Sequence, residues 1–445
     1  MGQDGRQRRE ARRRAHPRTS SKVSTPHEAD PSADIGEAEA QQQIIALIET
    51  AARFAQDAPR GAGPLIAHLN EIGRSAPMQY LDPAALVVNR VLSCIHAAYE
   101  HGWQPSDLVH AARRRATSPA AAWLAEAVSV EADRSKADER APQHWLDQLD
   151  ALASGRPRPA GPAGLLETGG RATETRWVNA LVAIRFISVI PRSDLLVPPP
   201  SQWGTTHHAT SPARPRQQGD DRHDKTLVKI RALLAKAESS DFAAEAEAFT
   251  AKAQDLMTRY SIDEALLADG GGGSIDVSGV RVLVHQPYAD EKAALLDVIA
   301  RANRVRAVWN DFASCVTLVG VPTDLAQVEM LFTSTLIQAT RAMTQVGEKS
   351  GGRDRSVSFR KAFLTAYAYR IGERLSMSSA EAEASYGTDL VPVFERQAVA
   401  IAEEFERLFP HVTTRSRRGS FDARGWHAGT RAADEAVLPA GEVGA

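Results

Sequence analysis

At 445 residues, with 43% hydrophobic and 24% charged residues, the chain has room for more than one domain and the composition of ordinary globular modules. A formal net charge of −2 excludes a chain held to nucleic acid by its overall charge and leaves that task to local patches. Two cysteines, Cys94 and Cys315, far apart in sequence, exclude a disulfide framework and a thiolate zinc site and favour a reducing cytoplasm.

No apolar run is long enough to span a membrane, and no apolar signal core follows the basic N-terminus, so the expected location is cytoplasmic. Residues 1–36 read as a disordered basic arm: Arg6, Arg8, Arg9, Arg12, Arg13, Arg14 and Arg18 have no hydrophobic neighbours. Such an arm attracts phosphates or serves as a solubilising tail; it has no interleaved aromatic residues to stack bases.

Residues 37–200 read as an all-α helical domain. Ile44, Leu47, Ile48, Ala51 and Phe54 share one helix face. Asp82 and Pro83 make a helix start, followed by Leu86, Val87, Val91, Ile95 and Tyr99 and stopped by Gly102. Pro105, Ser106 and Asp107 open another helix, which ends in Arg113, Arg114 and Arg115. Those cations either complement a helix C-terminus or form a site for a phosphate or an acidic partner. Further helices carry Trp123 and Leu124, then Trp145 and Leu149, then Trp177 to Ile190. His96, His101 and His110 are not spaced as a one-face helical pair, since Gly102 intervenes, and no metal site is expected of them. Pro198, Pro199 and Pro200 end the helical domain, and residues 201–221 read as a polar interdomain linker.

Residues 222–269 are the most regular part of the chain. Leu227, Ile230, Leu233, Leu234 and Ala237 fall on one helix face; Ser239, Ser240 and Asp241 break it; Phe249, Ala253, Leu256, Met257 and Tyr260 line a second helix. The spacing predicts a helical hairpin. Its pattern Lys229-Ile230-Arg231-x-Leu233-Leu234-Ala235, then Glu245-Ala246-Glu247 and Lys252-Ala253-Gln254-x-Leu256-Met257, resembles a bacterial domain catalogued as domain of unknown function 2786. The segment Gly102 to Leu108 resembles a helical region found in actinobacterial members of that family, and Gly425-Trp426-His427-Ala428-Gly429 resembles a glycine-containing signature near its C-terminus. The family brings no established activity, so the resemblance implies a fold and no chemistry.

Residues 275–430 read as an α+β module. Val277 to Val284 alternates as a strand, and Tyr288 to Arg304 reads as a helix. Val305 to Trp309 and Ser314 to Val321 are two strands around an Asn310-Asp311 turn, and a long helix begins at Thr323 or Asp324. Ser358 to Leu375 and Phe394 to Phe409 are two more helices, and residues 431–445 read as a disordered tail. The fold class is therefore multidomain: an N-terminal all-α helical bundle plus a C-terminal α+β module opening with a helical hairpin.

No His-Glu-x-x-His, Gly-x-Ser-x-Gly, P-loop or dinucleotide fingerprint is present. Asp311, Asp324, Glu329, His285 and His427 are the candidate acids, bases or metal carboxylates of the last module, although a turn and a helix start favour Asp for backbone reasons alone. The stronger signal is basic. Arg353, Arg355, Arg360 and Lys361 flank a helix start, and Arg417 and Arg418 follow later; Arg residues beside a helix N-terminus bind phosphate. These six are the candidate nucleic-acid-binding residues. No cofactor or metal is expected. The expected function is that of a non-enzymatic binding or adaptor protein that contacts nucleic acid, or an acidic protein partner, through Arg-rich patches. The alternative is a hydrolase such as a metal-dependent nuclease with its site in the C-terminal module.

Overall fold

The structure is a computed structural model that describes residues 31–57, 59–75, 81–155, 159–168, 171–204, 228–230, 232–233, 236, 256, 275–349, 354, 356–386, 391–413 and 422–436. The Arg-rich arm before residue 31, residues 205–221 of the predicted 201–221 linker, most of the predicted hairpin, and the tail after 436 lie outside the described residues.

The N-terminal domain is all helical apart from one two-stranded ribbon. Its helices are α1 (Pro31–Asp57), α2 (Pro59–Ser75), α3 (Pro83–Glu100), α4 (Pro105–Arg115), α5 (Ser118–Ser135), α6 (Ala137–Arg140), α7 (Gln143–Ala153) and α8 (Glu174–Ile187). The helix starts follow local chemistry. Asp82 caps α3 by accepting from Ala84 N and Ala85 N at 3.1 and 3.3 Å, with Pro83 in the first position. Thr117 caps α5 by accepting from Ala120 N at 3.2 Å. The helix expected from Trp177 to Ile190 starts earlier, because β1 (Glu167–Thr168) and β2 (Arg171–Ala172) form a ribbon that delivers Thr173 as its N-cap. Similarly α1 begins at Pro31, inside the stretch that composition assigns to the basic arm.

Five tryptophans, Trp103, Trp123, Trp145, Trp177 and Trp203, are buried in this domain. Two indoles hold the segment after α8 in place: Trp103 Nε1 donates to Pro191 O at 2.8 Å and Trp203 Nε1 to Pro198 O at 3.0 Å. The proline-rich stretch to residue 204 is thus a packed strap. Trp203 meets Trp145 edge-on at 5.2 Å. Gly102, at φ 89, does more than stop α3: a Cβ there would collide with Ser193 O, so glycine lets the strap cross the α3–α4 corner.

The C-terminal module contains β3 (Ser278–Leu283), α9 (Ala289–Ala302), β4 (Arg306–Asn310), β5 (Cys315–Gly320), α10 (Pro322–Lys349), α11 (Val357–Tyr386), α12 (Val391–Leu408) and α13 (Ala423–Asp434). The sheet is antiparallel in the order β3-β5-β4. Val280, Val282, Val316 and Leu318 face a core shared with α9, α10 and α11. Ile230 of the predicted hairpin is fully buried in that core, with Leu233 and Leu256 packed against it. All six residues of β5 are buried, so both sheet faces are covered. On the second face, Cys315 joins the core of the helical domain, with Leu283 packed against it. Arg306 stacks on Phe405 of α12 at 4.1 Å on the same side.

Arg281 anchors this docking. Its side chain is 3% exposed and donates to Asp107 Oδ2 at 2.6 Å, Gly102 O at 2.9 Å and Asp194 O at 2.5 Å. One guanidinium thus binds an α4 carboxylate, the α3–α4 corner and the strap. At the rim, Arg114 and Arg115 hold the two oxygens of Asp311 at 2.8 and 2.9 Å, and Arg115 lies over the Phe312 ring at 5.1 Å. The acidic partner of the α4 arginines lies in the same chain.

Candidate functional site

A cleft of about 330 Å³ opens between the start of α9, the second half of α10 and the first turns of α11. Tyr288 and Lys292 form one wall, Thr340, Met343, Thr344 and Gly347 a second, and Arg360 and Leu364 the third. Local packing explains the orientation of the third wall. Ser356 Oγ accepts from Phe359 N at 3.1 Å and caps α11. Phe359 and Phe363 are buried, and Gly425 and Gly429 of α13 press against their carbonyls. With that face fixed, Arg360 and Leu364, about 100° further round the helix, turn towards α10.

The site is cationic and sparingly paired. Among the described residues the Arg360 guanidinium has neither a hydrogen bond nor an ion pair, although it is only partly exposed. Lys292 Nζ donates to His285 O at 2.8 Å, and burial pulls its pKa below the ordinary lysine value. Tyr288 holds the left-handed region at φ 65, a conformation that an aromatic residue adopts at a cost. Thr340 and Thr344 donate to Leu336 O and Thr340 O, each at 2.8 Å, so their hydroxyl protons are already spent inside α10. Charged donors for an anion therefore come from Arg360 and Lys292, the Tyr288 ring carries a hydroxyl donor, and Met343 and Leu364 supply apolar contact.

Of the six arginine and lysine positions singled out from sequence, the cleft receives one, Arg360. Lys361 is on the surface, with Nζ 3.9 Å from Glu291 Oε1. Arg353, Arg355, Arg417 and Arg418 lie outside the described residues. Lys292 does not stand out in the sequence, because a lysine in an amphipathic helix reads as a solvated position; only the packing of α9 against α11 brings it to a concave wall.

The candidate carboxylates and histidines are dispersed. Asp311 is held by Arg114 and Arg115. Asp324 is buried at the start of α10 and accepts from Arg304 at 3.2 Å. Glu329 and His427 lie exposed on α10 and α13, and His285 meets His110 of the helical domain. Among the described residues no three His, Cys, Asp or Glu side chains are grouped to hold a metal ion. Among them, too, no helix is long and apolar enough to cross a membrane.

Residues 225–264 match the family described as protein of unknown function, DUF2786. No curated protein and no solved structure matches the chain. The described part of the DUF2786 segment contributes Ile230, Leu233 and Leu256 to the core beneath the sheet, which is packing, and places no side chain in the cleft.

Proposed function

We propose that the chain is a non-enzymatic binding protein of the cytoplasm whose α+β module takes a phosphate-bearing ligand, with nucleic acid the favoured class. The observation that carries this reading is the Arg360 guanidinium, without a partner among the described residues and set in a concave site beside Lys292. A planar guanidinium suits bidentate capture of a phosphate, and a lysine supplies a second charge without demanding geometry. The first turn of α11, whose N–H groups carry the positive end of the helix dipole, adds to the same field. The nuclease alternative gains nothing from Asp311 and Asp324, each of which is engaged by arginine.

Fluorescence anisotropy with labelled oligonucleotides of about 20 nucleotides tests this at salt from about 20 to 200 mM. Affinity should fall with salt, and Arg360→Ala should weaken binding about 5- to 30-fold while reducing the log–log salt slope by about 1. Absence of binding at low salt, or an Arg360→Ala variant that binds like the parent, would refute the reading.

A further inference from the structure

The interface between the helical domain and the α+β module contains a histidine pair with no part in the cleft. His110 of α4 and His285, two residues past β3, meet edge-on with ring centroids 4.7 Å apart and planes at 78°. His110 is 7% exposed, and its Nδ1 is buried without a hydrogen-bond partner. We propose that this pair is a pH-operated latch: the two modules are docked while both imidazoles are neutral, and protonation on mild acidification parts them.

The charges around the pair favour this. The charged groups that act on the imidazoles are Arg113 of α4 itself, one turn on, and Lys292 of α9; Asp107 of α4 interacts instead with Arg281 of β3 and His144 of α7, and Asp194 of the strap with Arg281. Asp107 is already committed to Arg281, with both side chains at most 5% exposed. Arg114 and Arg115 at the rim are matched by Asp311. Among the described residues no carboxylate acts on the imidazoles to receive a new positive charge; what meets His110 there is the backbone of Ser314 and Val284. Burial, then His285, then Arg113 hold His110 down to a pKa of about 4 in the docked state, against 6.5 when solvated. His285 is lowered by burial, Arg113 and Lys292.

The sign follows by linkage. Above the solvated value both docked and parted states are neutral, and docking has its full strength. As pH falls below it, the parted state takes up protons that the docked state refuses, so docking weakens until the lower value is reached. With the values of 6.5 and about 4, His110 alone raises the parted fraction about tenfold between about pH 7.5 and 5.5. Asp107 and Asp194, whose carboxyl pKa values burial raises in the docked state, oppose this lower in the range, because the docked state then takes up their protons more readily than the parted one.

Cys315 reports the parting directly. It is fully buried, on the sheet face that the helical domain covers, and burial pushes its thiol up to about 12. In the full chain with Cys94→Ser, its labelling by a dithiodipyridine is followed against a free thiol at each pH. The normalised rate should rise at least tenfold from about pH 7.5 to 5.5 with the helical circular dichroism unchanged, and His110→Phe should remove most of the rise. An equal rise in His110→Phe, no rise in the parent, or loss of helical signal alongside the labelling would each overturn the latch. Should His110→Phe fail to fold, the His110 ring is titrated in the parent by NMR: a pKa below about 5 supports the latch, and one near the solvated value overturns it.

Discussion

Arg281 shows how a single residue can set an architecture. The alternation of Val277 to Val284 is visible in sequence, and it assigns Arg281 to the face opposite Val280 and Val282. What cannot be seen is that this face is covered. A buried arginine is tolerable only when its charge is matched, and Asp107 lies 174 positions away in the chain. Burial raises the Asp107 pKa and the guanidinium opposes that rise. Arg281→Ala would leave the carboxylate buried and alone, and should cost about 3–5 kcal/mol in urea unfolding. The paired replacement Arg281→Met with Asp107→Leu should recover most of that loss; if the single variant is as stable as the parent, the pair is not what holds the interface. The same limit applies at the cleft. Arg360 could be picked from sequence because it stands in the first turn of a helix, whereas Lys292 could not, since its value depends on which element packs beside it.

Among the elements, α9, β4, β5 and the start of α10 were legible to within one or two residues, because each has an unambiguous period or a local start signal. α13 was not. Its sequence Gly425-Trp426-His427-Ala428-Gly429 stands out, but glycine is a poor helix former, and the stretch does not read as a helix on propensity. Its glycines have a packing role instead. Four residues apart, they lie on one helix face, and a Cβ at Gly425 or Gly429 would strike the carbonyl oxygens of Phe359 or Phe363 in α11. The two helices therefore approach backbone to side-chain-free backbone, which fixes the rotation of α11 and with it the direction of Arg360. Gly429→Ala should push α13 outward, destabilise the protein by about 1–3 kcal/mol and lower the Tm by several degrees. An unchanged Tm in a calorimetric scan would show that the helices have slack there.

For the whole molecule, composition and proline content suggested two modules on a linker beginning at 201, and the helical and α+β classes of the two parts are those expected. Their mutual packing is the added finding. The strap to residue 204, the buried Arg281–Asp107 pair and the Asp311 clasp join them through contacts between residues far apart in sequence, which no local pattern encodes. The cleft lies in the α+β module, at the far end of the segment that carries His285 at its start and Lys292 at its end. The central claim is that this cleft is where a phosphate-bearing ligand binds. Amide hydrogen exchange of the full chain, with and without saturating oligonucleotide at low salt, tests it most directly. Binding should slow exchange in 287–292, 340–347 and 357–364 together; slowing confined to other segments, or none at all, would contradict the claim.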